Sequence, residues 1–206
     1  MLVPREPPAG SFNQGGGIPR GVTRERWPGG SDPMQHLFTL DLAAMPALSR
    51  WFGPARAAAC FMRDVAGERR GDFLNELDVE WVALTEGDLA IPPLAEPPAA
   101  ALTPFKFATV PALVPPEVWR RPAWDGEPGE GERPALDLGV EQKLAGLLSA
   151  LSVLDARCGG QSIHIQQGDP ADVIIQFGER FVGEVTLGDF GLAYLYDLST
   201  AMFESH

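Results

Sequence analysis

Three polar residues near the C-terminal end of the chain have types that could do chemistry. Asp189 lies between glycines in the run 188–191, whereas Asp169 and His164 precede or enter strand-like runs. A carboxylate or imidazole can act as a general acid or base when burial and neighbouring charges shift its pKa. These three are the candidate catalytic residues, but an aspartate beside glycine or proline is also typical of a turn.

The run at 188–191, Gly-Asp-Phe-Gly, is similar to the magnesium-binding loop of protein kinases. A kinase also needs a glycine-rich phosphate loop, a lysine on the following strand and a catalytic His-Arg-Asp loop. None of these follows the expected pattern in this chain. We therefore interpret the run as a turn.

Two further residues are candidates for binding. Gln176 interrupts an otherwise apolar run at 173–177, so its buried amide must find hydrogen-bond partners, either in the loop backbone or in a ligand. Trp27 precedes a proline in a loop, where an aromatic side chain either packs or anchors a partner. The candidate binding residues are thus Trp27, Gln176, Asp189, His164 and Asp169.

Metal and phosphate sites are not indicated. His36 and His164 enter two similar strands and could face each other, but a third ligand is missing for a metal. The three glycines at 15–17 could cradle an anion, yet a phosphate loop needs a helix directly after it, and Pro19 opposes one. The sequence predicts neither a metal nor a cofactor.

Charge and composition narrow the classes of partner. The formal net charge is -12, with 28 acidic against 16 basic residues, which disfavours nucleic acid and anionic membranes and favours a basic protein or peptide. Two cysteines far apart, an N-terminus without an export signal and no long apolar stretch indicate a cytoplasmic protein, as a monomer or homodimer.

Periodicity predicts mostly short strands. The 23 glycines and 20 prolines favour turns and long loops over long helices. One helix is predicted at 140–154 from leucines at three- and four-residue spacing, and an acidic surface loop at 124–134. Strands are predicted at 35–42, 57–62, 77–84, 163–165, 173–177, 181–187 and 192–196, with a further edge strand within 103–114.

Two segments of the chain repeat each other. An Asp-Pro pair leads into an apolar strand at 31–40 and again at 168–177, and a glycine pair precedes each copy. We predict one domain of two pseudo-repeated halves, about 10–92 and 140–206, joined by a proline-rich and acidic connector at 93–139. The fold class is α+β and β-rich, an internally duplicated antiparallel-sheet unit with few helices and long loops.

The same segments resemble the YwqG-like family, a group of bacterial proteins of unknown function. The N-terminal half is similar in its Gly-Gly-Ile-Pro run at 16–19, its Trp-Pro pair at 27–28 and the strand at 37–42. The C-terminal half is similar at 173–176, 188–191 and 197–203. Thr39 and Leu187 depart from the family pattern, which has glutamine and tryptophan there. The resemblance implies a β-rich duplicated fold and no known activity.

These observations favour a non-catalytic module that binds a protein or peptide in a groove between its two halves. The alternative is a small-molecule enzyme with a carboxylate-based site at the interface of the halves. No serine, cysteine or histidine motif of a nucleophilic enzyme is present in the sequence to favour that alternative.

Overall fold

The structure is a computed structural model of the 206-residue chain. The residues that it describes are 2–3, 5–63, 74–109, 156–159, 171–178, 181–183, 187 and 191–204. The predicted helix at 140–154, the strand at 163–165 and the acidic loop at 124–134 lie outside these residues.

Four antiparallel strands form an N-terminal sheet. They are β2 (Gln14–Gly15), β3 (Gln35–Asp41), β4 (Ala57–Met62) and β6 (Val79–Leu84), in the spatial order β2-β3-β4-β6. Strands β3 and β4 are buried on both faces, as central strands covered on two sides must be, although β3 also buries the polar residues His36, Thr39 and Asp41. Asp78 and Glu80 are exposed, as the sequence predicted, but Val82 and Leu84, which follow on the same face of β6, are buried.

Five antiparallel strands form a C-terminal sheet. Its members are β5 (Leu74–Glu76), β8 (Arg157–Cys158), β9 (Ile175–Gly178), β10 (Leu192–Leu195) and β11 (Ala201–Glu204), in the order β5-β11-β10-β9-β8. The predicted strand at 181–187 is not a strand at 181–183, which form a turn. Strand β5 comes from the N-terminal half of the chain, so this half contributes one strand to the C-terminal sheet.

A third pairing ties the N-terminus to the connector. Strand β1 (Leu2–Val3) pairs with β7 (Ala108–Thr109), the edge strand predicted within 103–114. Single bridges join Leu2 to Ala156 and Gly15 to Phe105. The residues that precede Thr109 in the connector are therefore integrated into the fold.

The main core lies between the two sheets. The ring of Phe38 in β3 meets Phe177 in β9 at 5.6 Å between centroids, edge to face, and Phe181 at 5.9 Å. All three side chains are buried. Edge-to-face aromatic pairs at this spacing stabilise a core beyond the area they bury.

Each sheet also buries part of its outer face. In the N-terminal sheet, Ala59, Phe61 and Val82 pack under Trp27 and Leu89. The outer face of the C-terminal sheet holds a smaller cluster of Val173, Leu192 and Tyr194, with Tyr196 stacked on Tyr194 at 6.1 Å. The described strands therefore separate three apolar layers.

Helices are short in the described residues. They are α1 (Ser49–Phe52), α2 (Glu86–Leu89) and three single 3-10 turns. Thr85 and Asp88 cap α2 reciprocally, each side chain accepting the backbone N–H of the other residue. The β-rich, antiparallel character and the scarcity of helices are thus confirmed for this part of the chain.

None of the helices in the described ranges has both the length and the apolar content to cross a membrane.

Strands β2 and β3 pair in the same way as β8 and β9. Gln14 lies opposite Thr39, and Arg157 lies opposite Gln176. The N–H of Gly16 donates to the Leu37 carbonyl at 2.8 Å, and the N–H of Gly159 donates to the Ile174 carbonyl at 2.9 Å. Both glycines have positive φ, 57° and 69°. The two strand pairs therefore have corresponding pairings at these positions.

Candidate binding edge

Strand β6 forms one edge of the N-terminal sheet. It pairs with β4 from Val79 opposite Met62 to Leu84 opposite Ala57. No other strand in the described ranges pairs with its far side. An unpaired strand edge presents N–H and C=O groups to which another extended chain can bind.

The direction of the β6 backbone groups follows from two contacts with the neighbouring chain. The carbonyls of Asp78 and Leu84 accept from the N–H groups of Arg63 at 3.0 Å and Arg56 at 2.8 Å, on the β4 side. Backbone groups alternate in direction along an antiparallel strand. Those of the odd-numbered residues 79, 81 and 83 therefore point to the free side.

Arg26 protects one end of this edge. Its Nη2 donates to the carbonyl of Ala83 at 2.6 Å, and its Nη1 forms a salt bridge with Asp88 at 2.7 Å. This contact agrees with the outward direction of the Ala83 carbonyl. The centre of the edge, at Trp81, has no such cover among the described residues.

Trp81 carries an unsatisfied polar group at the centre of the edge. Its half-buried ring packs edge to face on Phe52 at 5.1 Å and on Phe38 at 6.0 Å, beside the core between the sheets. The indole Nε1 is buried, and it is the only buried side-chain nitrogen or oxygen in the described residues without a hydrogen-bond partner. An unmade buried hydrogen bond costs roughly 1–3 kcal/mol, which a ligand could recover by supplying an acceptor.

Charge on the edge comes from Glu80. It is exposed and lies on the outer face of β6, opposite to the face of Trp81. Two neighbouring carboxylates share one cation, since Arg63 pairs with Asp78 at 2.7 Å and with Asp32 at 2.6 Å. Glu80 has no ion-pair partner within the described part of the chain. Among the described residues, the net charge around Glu80 is therefore negative.

Trp27, a predicted binding residue, lies inside the protein. Its ring is buried and meets Phe61 at 5.0 Å, and its Nε1 donates to the Met34 carbonyl at 2.8 Å. The side chain thereby holds the loop after it onto the outer face of the N-terminal sheet. Trp27 contrasts with Trp81, whose identical donor group has no acceptor.

Gln176, the second predicted binding residue, is buried in the C-terminal sheet. Its Oε1 accepts from Nε of Arg157, its cross-strand neighbour, at 3.0 Å. Burial lowers the pKa of Arg157 to about 10, and the nearby Tyr194 opposes this effect. The amide thus solvates a guanidinium held away from water, a partner that the sequence reasoning did not name.

The remaining predicted residues, His164, Asp169 and Asp189, lie outside the described residues. The matching Asp32 is described and is exposed, with its carboxylate on Arg63. Of the five predicted site residues, the structure describes Trp27, on the outer face of the N-terminal sheet, and Gln176, in the C-terminal sheet.

His36 is fully buried and has two hydrogen-bond partners. Its Nδ1 lies 2.9 Å from the Gly16 carbonyl and its Nε2 lies 2.9 Å from Oγ1 of Thr39. A carbonyl only accepts, so Nδ1 carries the proton and Nε2 accepts from the hydroxyl. Burial lowers the pKa of His36 to about 4. This neutral imidazole ties a glycine loop to β3.

The glycine loop at 15–17 has its N–H groups occupied. Gly15, Gly16 and Gly17 donate to the carbonyls of Phe105, Leu37 and Leu102 at 2.9, 2.8 and 2.9 Å. An anion site would need these donors free. The interpretation of the segment as a structural loop agrees with this arrangement.

Asp41 is the one buried carboxylate among the described residues. It accepts from the guanidinium of Arg56 and from the N–H groups of Phe12 and Ala43, both at 3.1 Å. Its own N–H donates to Asn13 at 2.8 Å. This carboxylate is fully engaged within the protein. No cluster of metal-ligating side chains occurs in the described ranges.

Sequence reasoning missed Trp81 as a site residue. The alternation at 77–84 correctly predicted that Glu80 is exposed, but it did not predict that Val82 and Leu84 on the same face are buried. Nothing in the sequence indicates that the neighbouring strand is absent or that the indole finds no acceptor, because both depend on tertiary packing.

Comparison of the chain with protein-family models, with curated proteins and with solved structures found no match. The resemblance to the YwqG-like family therefore depends on the quoted motifs and stays a prediction.

Proposed function

We propose that this protein is a non-catalytic module that binds an extended segment of another protein along the free edge of β6. The observation that carries the proposal is Trp81, whose buried indole N–H has no acceptor among the described residues and lies at the centre of a strand edge that no described strand pairs with. Adding a strand to an exposed edge is a recurrent mode of peptide recognition.

The edge of β6 is a better candidate binding site than the middle of the interface between the halves. The described side chains between the sheets, such as Phe38, Phe177 and Phe181, fill that space with ring contacts. Trp81 lies at the rim of the same core. A bound segment would thus extend the N-terminal sheet beside the junction of the halves.

We also propose that the two sheets arose by an internal duplication. The matched pairings of Gln14 with Thr39 and of Arg157 with Gln176 support it, as do the matched positive-φ glycines. We further propose a cytoplasmic location, for which the buried Cys60 and the second unpaired cysteine, Cys158, are suitable.

The test uses a displayed library of random peptides and the full-length protein. Selected peptides should bind Trp81→Phe roughly fivefold more weakly than the wild type, because the variant keeps an aromatic ring and loses the N–H donor, whose hydrogen bond is typically worth about 1 kcal/mol. Trp51→Phe is the control, since this half-buried tryptophan lies in α1 and not on the edge.

A second variant tests the strand edge itself. Ala83→Pro removes an N–H that points away from β4, so the ladder stays intact while the ring obstructs an incoming strand. Peptide binding should be lost, with the far-ultraviolet circular dichroism spectrum unchanged. Peptides that bind wild type, Trp81→Phe and Ala83→Pro with one affinity would refute the proposal.

A further inference from the structure

We infer that the segment bound at β6 carries a lysine or arginine next to Glu80, followed or preceded directly by a residue whose side chain has a hydrogen-bond acceptor for Trp81. This inference rests on the proposed function and specifies the partner of the same edge. The occupant is an extended, basic segment of another protein.

Alternation along β6 fixes the spacing of these two residues. Glu80 and Trp81 are consecutive, so their side chains lie on opposite faces of the sheet. An added strand has the same alternation, and its residues beside Glu80 and Trp81 are therefore also consecutive. The recognition unit is a basic residue adjacent in sequence to serine, threonine, asparagine or glutamine.

The charge of the first residue follows from the surroundings of Glu80. This exposed carboxylate is uncompensated among the described residues, whereas Asp78 and Asp88 already pair with Arg63 and Arg26. Opposite charges on neighbouring strands attract, and like charges directly opposite each other repel. The net charge of -12 also steers basic segments toward the protein.

The polarity of the second residue follows from the indole of Trp81. The backbone carbonyls of an added strand point at the β6 backbone in the plane of the sheet, so they do not reach a side chain on the inner face. Nε1 is itself buried, so a side-chain oxygen on that face must enter beside the indole ring to reach it. A carboxylate there would also accept, but it would have to be buried beside Phe38 and Phe52, at a large desolvation cost.

A second copy of this chain is the competing occupant. Pairing β6 with β6 about a twofold axis would place two Glu80 side chains on the same face of one continuous sheet, and both are uncompensated. Like charges on paired strands disfavour that assembly. The basic segment has no such penalty.

The experiment repeats the peptide selection on charge variants of the full-length protein. Wild type should enrich lysine or arginine adjacent to an acceptor residue, and Glu80→Lys should enrich aspartate or glutamate at the same position. Glu76→Lys is the matched control, because it makes the same change of charge at an exposed residue of β5 and should keep the basic preference. Wild-type peptides should bind Glu80→Lys at least ~5-fold more weakly.

Three outcomes would count against the inference, and they are distinguishable. If Glu80→Lys selects the same peptides as the wild type, but Ala83→Pro no longer binds them, the preference for a basic residue is refuted and the edge of β6 is still the binding site. Peptides insensitive to both Trp81→Phe and Ala83→Pro overturn the proposed function as well. A wild-type dimer by light scattering that Ala83→Pro converts to monomer would assign the edge to a second copy.

Discussion

At the scale of single residues, His36 shows how a polar side chain can be buried at little risk to the fold. Its imidazole accepts from Thr39 and donates to Gly16, so neither ring nitrogen is left without a partner. The neutral form fits this environment because burial lowers the pKa from 6.5 to about 4. Lowering the pH should therefore destabilise the fold through protonation of His36.

The free energy of unfolding should decrease as the pH is lowered from 6.5 toward 4. In that range unfolded His36 binds a proton and folded His36 does not, so the unfolded state takes up more protons and stability is lost with falling pH. Between pH 7 and 4.5 the loss from this residue should be about 2 kcal/mol. Urea denaturation at the two pH values measures it.

The variant His36→Gln separates this effect from that of the carboxylates. It should be less stable than wild type at pH 7, but its loss of stability on acidification should be smaller by the amount given above. Equal losses in the two proteins would show that His36 does not titrate in this way.

At the scale of elements, the turn after β2 depends on close backbone contacts. Gly16 has φ of 57°, and a Cβ atom added to it would overlap the carbonyl oxygen of Thr103. Gly30 has nearly the same φ, 58°, but a Cβ atom there would meet nothing within 4 Å. The two positions share a backbone conformation and differ in the space that is available to a side chain.

Alanine substitution should therefore cost more at Gly16 than at Gly30. Gly30→Ala should lower the free energy of unfolding by about 1–2 kcal/mol, the cost of positive φ for a residue with Cβ. Gly16→Ala should add a further ~1–3 kcal/mol, because the connector must move away from the new methyl group. Chemical denaturation of both variants measures the difference, and equal costs would contradict the predicted contact.

Strand positions could be predicted from sequence where the apolar run is long. Strands β3, β4, β6 and β10 agree with the predicted segments within a few residues. Strand β11 was not predicted, because four residues give too little periodicity. The pairing of β5 with β11 was not predicted either, since no local pattern encodes pairing with a distant strand. The unsatisfied donor of Trp81 was missed for the same reason.

At the scale of the whole molecule, the two sheets are one structural unit. Aromatic side chains from both sheets share a core, and β5 from the N-terminal half pairs with β11 of the C-terminal sheet, Glu76 opposite Met202. The halves should therefore stabilise each other.

A double-mutant cycle between Phe38→Leu and Phe177→Leu should show coupling across the sheets. Their edge-to-face contact predicts an interaction energy of about 0.5–1.5 kcal/mol. Phe61 is the control, because it packs in the cluster on the other face of the N-terminal sheet. Phe61→Leu combined with Phe177→Leu should be additive, and additivity of the Phe38 pair as well would contradict a shared core.

The pairing of β5 with the distant β11 has a consequence for how the protein is made. Residues Leu74–Glu76 leave the ribosome long before their partners at Ala201–Glu204 have been translated. During that interval the early segment has no β11 to pair with, and chaperones have access to it. Completion of the C-terminal sheet must wait until Glu204 has emerged from the exit tunnel, so pausing of translation before this point would prolong the vulnerable period.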